Sequence, residues 1–115
     1  MKKHFWWMSV ALWLPLQAAA QDGRFHSPVD IPFLMSGSFG EPRPNHFHCG
    51  IDVKTQGVVG KRVLSVYDGY VSRLTVGYDG FGNAVYVTHP NGLVSVYCHL
   101  NEFVPALKEV VRRCQ

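Results

Sequence analysis

The sequence lacks the features that mark several large classes of protein. It has no tryptophan after Trp13, and neither glycine nor cysteine among its first 20 residues, so its beginning differs in kind from the rest. The 11 basic and 8 acidic residues leave a formal net charge of only +3, and 47% of the residues are hydrophobic. These values exclude an intrinsically disordered chain, a collagen-like repeat and a polytopic membrane protein.

Residues 1–20 have the three parts of a secretory signal peptide. Lys2 and Lys3 form a basic start, an apolar stretch runs from residue 5 to 16, and the small residues at 18–20 predict cleavage before Gln21. The apolar stretch is shorter than the roughly 20 residues that cross a bilayer, so an uncleaved anchor is the weaker alternative. We therefore expect an exported protein, periplasmic or extracellular, with no integral membrane segment after cleavage.

The positive charge belongs mainly to this leader. Without its two lysines, 9 basic residues stand against 8 acidic ones, which is a net charge of +1. The basic residues that cluster, Lys108, Arg112 and Arg113, fit the solvent face of a helix. Binding of nucleic acid needs a larger basic face, so we expect no nucleic-acid partner.

The remaining residues predict a mainly β domain. Residues 21–33 are typical of an extended lead-in, and turn-forming residues fill 35–45. Alternation of apolar and polar residues predicts strands at 47–53, 62–67, 70–76, 84–89 and 93–100, and a helical pattern covers 104–113. We expect a small twisted antiparallel sheet or open sandwich over residues 34–115, with one C-terminal helix.

Asn91-Gly92 lies between two alternating segments and predicts a two-residue type I′ hairpin turn. This turn would pair Thr88 with Ser95. One face of the hairpin would then be apolar and the other would line a groove. The apolar face would consist of Val85, Val87, Val94, Val96 and Cys98, and the groove face of Tyr86, Thr88, Ser95, Tyr97 and His99.

His48 and Asp52 are the first candidates for chemistry. Imidazole and carboxylate are ligands of catalytic zinc, which takes three protein groups and leaves one position for water. Four residues of regular strand span roughly 13 Å, too far for both side chains to reach one ion. Gly50 between them permits a bend. From the spacing alone, a surface histidine and a turn aspartate remain the favoured interpretation.

Four stretches of the chain occur together in an order that is typical of one family. They are Ser36–Arg43 followed by His48-x-Gly50-x-Asp52, then Lys61–Gly69, Gly80–His89 and Tyr97–Leu100. Over residues 34–103 the chain resembles the lysostaphin/LytM-type zinc metallopeptidases, which cut peptide cross-links of peptidoglycan. The resemblance implies a zinc endopeptidase of the LytM fold with His48 and Asp52 as metal ligands and His99 as a catalytic histidine.

The sequence departs from this family at one point. Family members complete their site with a His-x-His pair on a later strand, and no histidine follows His99. We therefore expect an N-terminal part of the catalytic domain, inactive or nearly so by itself. Two alternatives stay open. His46, His48 and Asp52 could form a three-ligand site, or the chain could be a non-catalytic module that binds peptidoglycan or activates another cell-wall hydrolase.

Three cysteines are an odd number for an exported protein. Cys49 and Cys98 each adjoin a proposed site histidine, so one hypothesis is a disulfide between them behind the site. Buried free thiols are the other hypothesis. Cys114 would stay unpaired or bond to a partner outside these residues.

Three other polar residues receive no role in the expected site. His26 lies in the lead-in, and His89 is expected to be exposed beside the hairpin turn. Arg43 lies in a loop between two prolines, where binding of a substrate carboxylate is an alternative to a purely local role.

Overall fold

The computed structural model describes residues 24–114, so the predicted leader at 1–20 lies outside the described residues. Five strands precede one helix: β1 (Met35–Gly37), β2 (Asp52–Val53), β3 (Tyr70–Thr75), β4 (Ala84–Thr88), β5 (Val94–Tyr97) and α1 (Pro105–Cys114). β1 and β2 form one antiparallel sheet, and β3, β4 and β5 form a second with β4 in the centre. The predicted mainly β fold with a C-terminal helix is confirmed. Among the described residues, none lies in a helix long and apolar enough to cross a membrane.

The core of the molecule lies between β4 and α1. Val85 and Val87 on β4 pack with Phe103, and the half-buried Leu107 and Val111 of the helix close over them. Leu107 and Val111 are four residues apart and therefore share one helix face. Val104 and Val110 are also apolar positions of the predicted helical pattern at 104–113, but both are exposed. Only part of that pattern is therefore packed.

The hairpin register differs from the prediction by one residue. Thr88 pairs with Val94 rather than Ser95. His89 N donates to Leu93 O, and Gly92 N donates to His89 O, which closes a three-residue loop. Within that loop only Gly92 has positive φ, at 82°. This is the pattern of a type I turn followed by a left-handed residue, and proline is favoured at its first central position.

A one-residue slip moves every side chain of a strand to the opposite face. On β5 the slip places Ser95 and Tyr97 on the same side as the buried Val85 and Val87. Val94 and Val96 take the outer side and are exposed. The predicted apolar and groove faces of the hairpin were therefore wrong for β5.

Two other predicted strands are shorter or more irregular than expected. Of 47–53, only Asp52–Val53 is strand. Phe47, Cys49 and Ile51, the apolar residues of the alternation that predicted this strand, are exposed. Residues 62–67 form one bridge, between Val63 and Val29. Conversely, β1 lies in the segment that was expected to be turn. Local alternation cannot show which segments find a pairing partner, and partners decide these cases.

Residues 24–30 run antiparallel to residues 63–66. His26 N donates to Val66 O, Leu64 N donates to Pro28 O, and the side chain of Val29 is buried. Phe25 adds an aromatic contact to Tyr67, with ring centroids 5.7 Å apart. This extended segment therefore contributes to the packed structure.

His89 is buried, contrary to the predicted exposure, and is only 3% accessible. Its Nδ1 donates to Asp68 O at 2.8 Å, and its Nε2 lies 2.8 Å from Ser95 Oγ. The Ser95 hydroxyl also bonds to the Tyr97 hydroxyl at 2.9 Å, which accepts from Val66 N–H. Because buried polar groups need partners, this network explains how the register tolerates a histidine inside. It also ties residues 66–68 to the β4–β5 hairpin.

Candidate metal centre

A short hairpin places His48. Arg43 N donates to His46 O and His48 N donates to Glu41 O, so residues 40–43 and 46–48 run antiparallel around Pro44-Asn45. Gly40 N completes the pairing by donating to His48 O at 2.7 Å. The turn-forming residues of this segment thus hold the backbone of His48 on both sides.

The chain then bends at Gly50 and enters β2, where Asp52 pairs with Gly37 of β1. As a result, His48 Nε2 lies 3.2 Å from Asp52 Oδ1. The bend that the sequence suggested at Gly50 is confirmed, and it removes the separation that a regular strand would impose. The two predicted ligand residues lie together.

The atoms of this pair suit a shared cation. His48 Nδ1 donates to Ser38 O at 2.9 Å, so in the neutral ring Nε2 carries a lone pair. That lone pair faces an oxygen of Asp52, and a cation between the two acceptors satisfies both. In a tetrahedral zinc site, bond lengths near 2.1 Å put two ligand atoms about 3.4 Å apart. The observed 3.2 Å therefore fits two corners of such a site.

The second oxygen of Asp52 is held by Arg43. Arg43 Nη2 donates to Asp52 Oδ2 at 2.7 Å and to Glu41 Oε2 at 3.3 Å. The hydrogen bond to Asp52, helped by the charge of Glu41, raises the pKa of the Arg43 guanidinium above its ordinary value. Arg43 is thus engaged by carboxylates of its own chain, which argues against the substrate-carboxylate alternative.

Gly37 makes this arrangement sterically possible. A Cβ at that position would lie 2.5 Å from Asp52 Oδ2 and 2.8 Å from Arg43 Nη2. Sequence reasoning identified neither Gly37 nor the role of Arg43. Both belong to the stretch Ser36–Arg43 that carries the family resemblance, which was the one available signal.

His99 lies on a separate segment. Its N–H donates to Phe81 O, and Leu100 N donates to Asn83 O, so the loop before β4 holds this backbone. His99 is exposed and has a φ of 55°, a left-handed conformation that costs a non-glycine residue about 1–3 kcal/mol. The predicted position of His99 on the groove face of a strand is wrong, because β5 ends at Tyr97.

Within residues 24–114, no hydrogen bond or ion pair joins the His99 ring to His48 or Asp52. Cys49 follows His48 and Cys98 precedes His99, and these two thiols interact electrostatically. Burial raises the pKa of the Cys98 thiol, and the charge of Cys49 raises it further.

The hypothesis of a Cys49–Cys98 disulfide does not describe this structure, in which all three cysteines are free thiols and Cys49 and Cys114 are exposed. The three-ligand alternative with His46 is also wrong here. No group of three or more His, Cys, Asp or Glu side chains in the described part of the chain could hold a metal ion. His46 is exposed and contributes its backbone carbonyl to the hairpin.

Comparison with known proteins identifies the family of the chain. A profile of Peptidase family M23 matches residues 46–115, a span that contains His48, Asp52 and His99. Neither the search of curated proteins nor the search of solved structures gave a match. The matched span is 70 of 115 residues, more than half of the chain. The chain therefore belongs to Peptidase family M23, the lysostaphin/LytM-type peptidases.

Proposed function

We propose that this chain carries two of the zinc ligands of an exported endopeptidase that cuts peptide cross-links of peptidoglycan. The observation that carries the proposal is the pairing of His48 Nε2 with Asp52 Oδ1, 3.2 Å apart, inside the span that matches the peptidase family. Catalytic zinc takes three protein ligands, and residues 24–114 bring two together. The third ligand in this proposal is a His-x-His histidine beyond the described residues.

His48 and Asp52 would hold the metal, and the residues around them would orient the pair. The Ser38 carbonyl keeps the proton of His48 on Nδ1, so that Nε2 is the ligand nitrogen. When bound, zinc would act as a Lewis acid that polarises a peptide carbonyl and lowers the pKa of a water molecule at the metal to about 7. Asp52 contributes a negative charge that favours a divalent cation at this position.

His99 would move a proton at its Nε2. A Cβ on Gly82 would lie 3.7 Å from His99 Nδ1, so the Nδ1 side of the ring is close to Gly82, and the proposal assigns Nε2 to the substrate. A histidine ring can donate or accept a proton through either nitrogen, which suits transfer of a proton to a leaving amine. Backbone hydrogen bonds from residues 99 and 100 to the loop before β4 fix the backbone from which the His99 ring extends.

Export and substrate class rest on the sequence. The leader at residues 1–20 directs the chain out of the cytoplasm to the compartment that contains peptidoglycan. The substrates of the family are the peptide cross-links of peptidoglycan. The near-zero net charge of residues 21–115 gives no support for a polyanionic partner.

Metal binding tests the first step of the proposal. Zinc titration of the chain from residue 21, followed by NMR of the histidine rings, should show saturable binding that shifts His48. His48→Ala and Asp52→Ala should each weaken binding at least about tenfold. His46→Ala is the matched control and should leave the affinity unchanged. Equal zinc affinity of wild type and Asp52→Ala would contradict the ligand assignment.

Hydrolysis tests the second step. Dye-labelled sacculi should release soluble fragments when treated with a chain continued through a His-x-His segment, and His99→Ala in that protein should lower kcat while zinc content stays constant. The 115-residue chain should release nothing. Lysis by the 115-residue chain alone would show that its own residues complete the site.

The alternative is a non-catalytic module that binds peptidoglycan or activates another hydrolase. It is favoured by the lack of a third ligand among the described residues. Cosedimentation with sacculi distinguishes the two. Binding that is unaffected by EDTA and by Asp52→Ala, without lysis by the continued chain, would favour the module.

A further inference from the structure

Asp52 has two oxygens, and the structure gives them different partners. Oδ1 faces His48 Nε2 at 3.2 Å, whereas Oδ2 accepts from Arg43 Nη2 at 2.7 Å. The carboxylate is about half exposed, with 43% of its side chain accessible. Because packing restrains an exposed carboxylate little, a carboxylate without other partners at this position could rotate and exchange its two oxygens. The guanidinium prevents that exchange, because it fixes one oxygen by a short charge-assisted hydrogen bond.

Arg43 itself is held from two sides. Glu41 Oε2 accepts from the same Nη2 at 3.3 Å, and the backbone of residue 43 pairs with His46 in the hairpin. The hairpin that orients His48 thus also fixes the start of the Arg43 side chain. One short segment positions both predicted ligands, one through its backbone and one through a guanidinium.

We propose that Arg43 is a positioning residue that makes Asp52 a one-oxygen ligand, with Oδ1 directed at the metal position and Oδ2 withheld from it. This inference rests on the proposed function, because it concerns the same metal site. It goes beyond that function by assigning a second layer to the site. Outer partners of this kind orient metal ligands, and their loss typically lowers metal affinity about 10- to 100-fold.

Two effects of Arg43 on a bound cation have opposite signs, and the test must separate them. Its positive charge repels a divalent cation, whereas its hydrogen bond orients the ligand. Arg43→Lys keeps the charge but replaces the planar fork by a point charge on a flexible stem. This substitution therefore removes the orientation without removing the repulsion. Arg62→Lys is a matched control, because Arg62 is exposed and its ion pair with Asp30, at 3.7 Å, lies in another segment.

The experiment is a zinc titration of the chain from residue 21, with affinity measured for wild type and the two variants. Arg43→Lys should bind zinc about tenfold more weakly than wild type, and Arg62→Lys should match wild type. In ¹⁵N spectra, Arg43→Lys should keep the His48 proton on Nδ1, since the Ser38 carbonyl is untouched. Its thermal midpoint should also stay within about 2 °C of wild type, as for an exposed substitution.

The outcomes separate this inference from the proposed function. Unchanged zinc affinity in Arg43→Lys, while Asp52→Ala loses binding, would overturn the role of Arg43 and leave the metal site intact. A lower affinity accompanied by a lost tautomer or a lower thermal midpoint would show a general structural role and would also overturn it. Absence of zinc binding by the wild-type chain would overturn the proposed site, and the role of Arg43 with it.

Discussion

Gly69 is the position at which a single methyl group should do most damage to the fold. A Cβ added there would overlap Thr88 O and would lie 2.9 Å from Val87 Cγ1 and 3.0 Å from His89 Nδ1. Thr88 O belongs to the central strand, and Val87 is buried, so neither neighbour is the free end of a flexible side chain. Its φ is outside the left-handed region, so the cost of alanine is steric. Gly69→Ala should therefore push residues 68–70 away from β4.

The magnitude follows from two contributions. Inserting one carbon into a packed position costs about 1–3 kcal/mol. The displaced segment includes Asp68, whose carbonyl accepts from His89 Nδ1 at 2.8 Å. Leaving a buried donor without its acceptor costs about 1–3 kcal/mol. The two costs are not fully additive, because one movement of residues 68–70 relieves part of the steric overlap and part of the hydrogen-bond loss. We expect a loss of about 3 kcal/mol in the free energy of unfolding.

Urea unfolding of the chain from residue 21, followed by circular dichroism, measures this loss. With a slope of about 1.5 kcal/mol per molar urea, the midpoint of Gly69→Ala should fall by about 2 M. Gly77→Ala is the matched control, because a Cβ there meets nothing within 4 Å and its φ is not positive. The control should change stability by less than about 0.5 kcal/mol. Equal midpoints for the two variants would refute the packing argument.

Two further predictions concern the segment at 98–99. Because His99 has a φ of 55°, His99→Gly should be more stable than His99→Ala by about 1 kcal/mol in the same urea assay, and the reverse order would contradict the left-handed backbone. Burial and the charge of Cys49 raise the pKa of the Cys98 thiol. In Cys114→Ser protein, the reaction of Cys98 with a disulfide reagent should therefore reach half its maximal rate at a higher pH than in the urea-unfolded chain. Cys49→Ser should lower that pH partway, and identical pH profiles of native and unfolded protein would refute the assignment.

The sequence predicted those parts of the fold that local pattern determines. β3, β4 and α1 lie where alternation or helical spacing placed them, because each of these segments has neighbours along the chain to pair with or pack against. The predicted hairpin register was wrong because the turn was assigned to Asn91-Gly92 only, without Pro90. Pro90 is a favoured first central residue of a type I turn, and a turn that includes it moves Ser95 and Tyr97 to the inner face.

The same slip explains why a buried histidine was missed. In the predicted register, His89 stood beside the turn and opposite no polar group. In the observed register, His89 lies on the inner face with Ser95 and Tyr97, which form a hydrogen-bonded network with it. A prediction from alternating apolar residues assigns polar residues to the outer face. His89, Ser95 and Tyr97 lie on the inner face because they satisfy one another's hydrogen-bonding groups.

The candidate site shows a different limit of sequence reasoning. Residue type and the glycine between them made His48 and Asp52 candidates, because a bend at Gly50 is a local property. The family resemblance was needed to favour them as ligands. Their fixed orientation depends on the pairing of Asp52 with Gly37, 15 positions earlier in the sequence. That pairing brings Arg43 to the second oxygen of Asp52 and requires the smallest residue at position 37. Long-range register therefore determines how the ligands are oriented, and no periodicity within 47–53 could predict it.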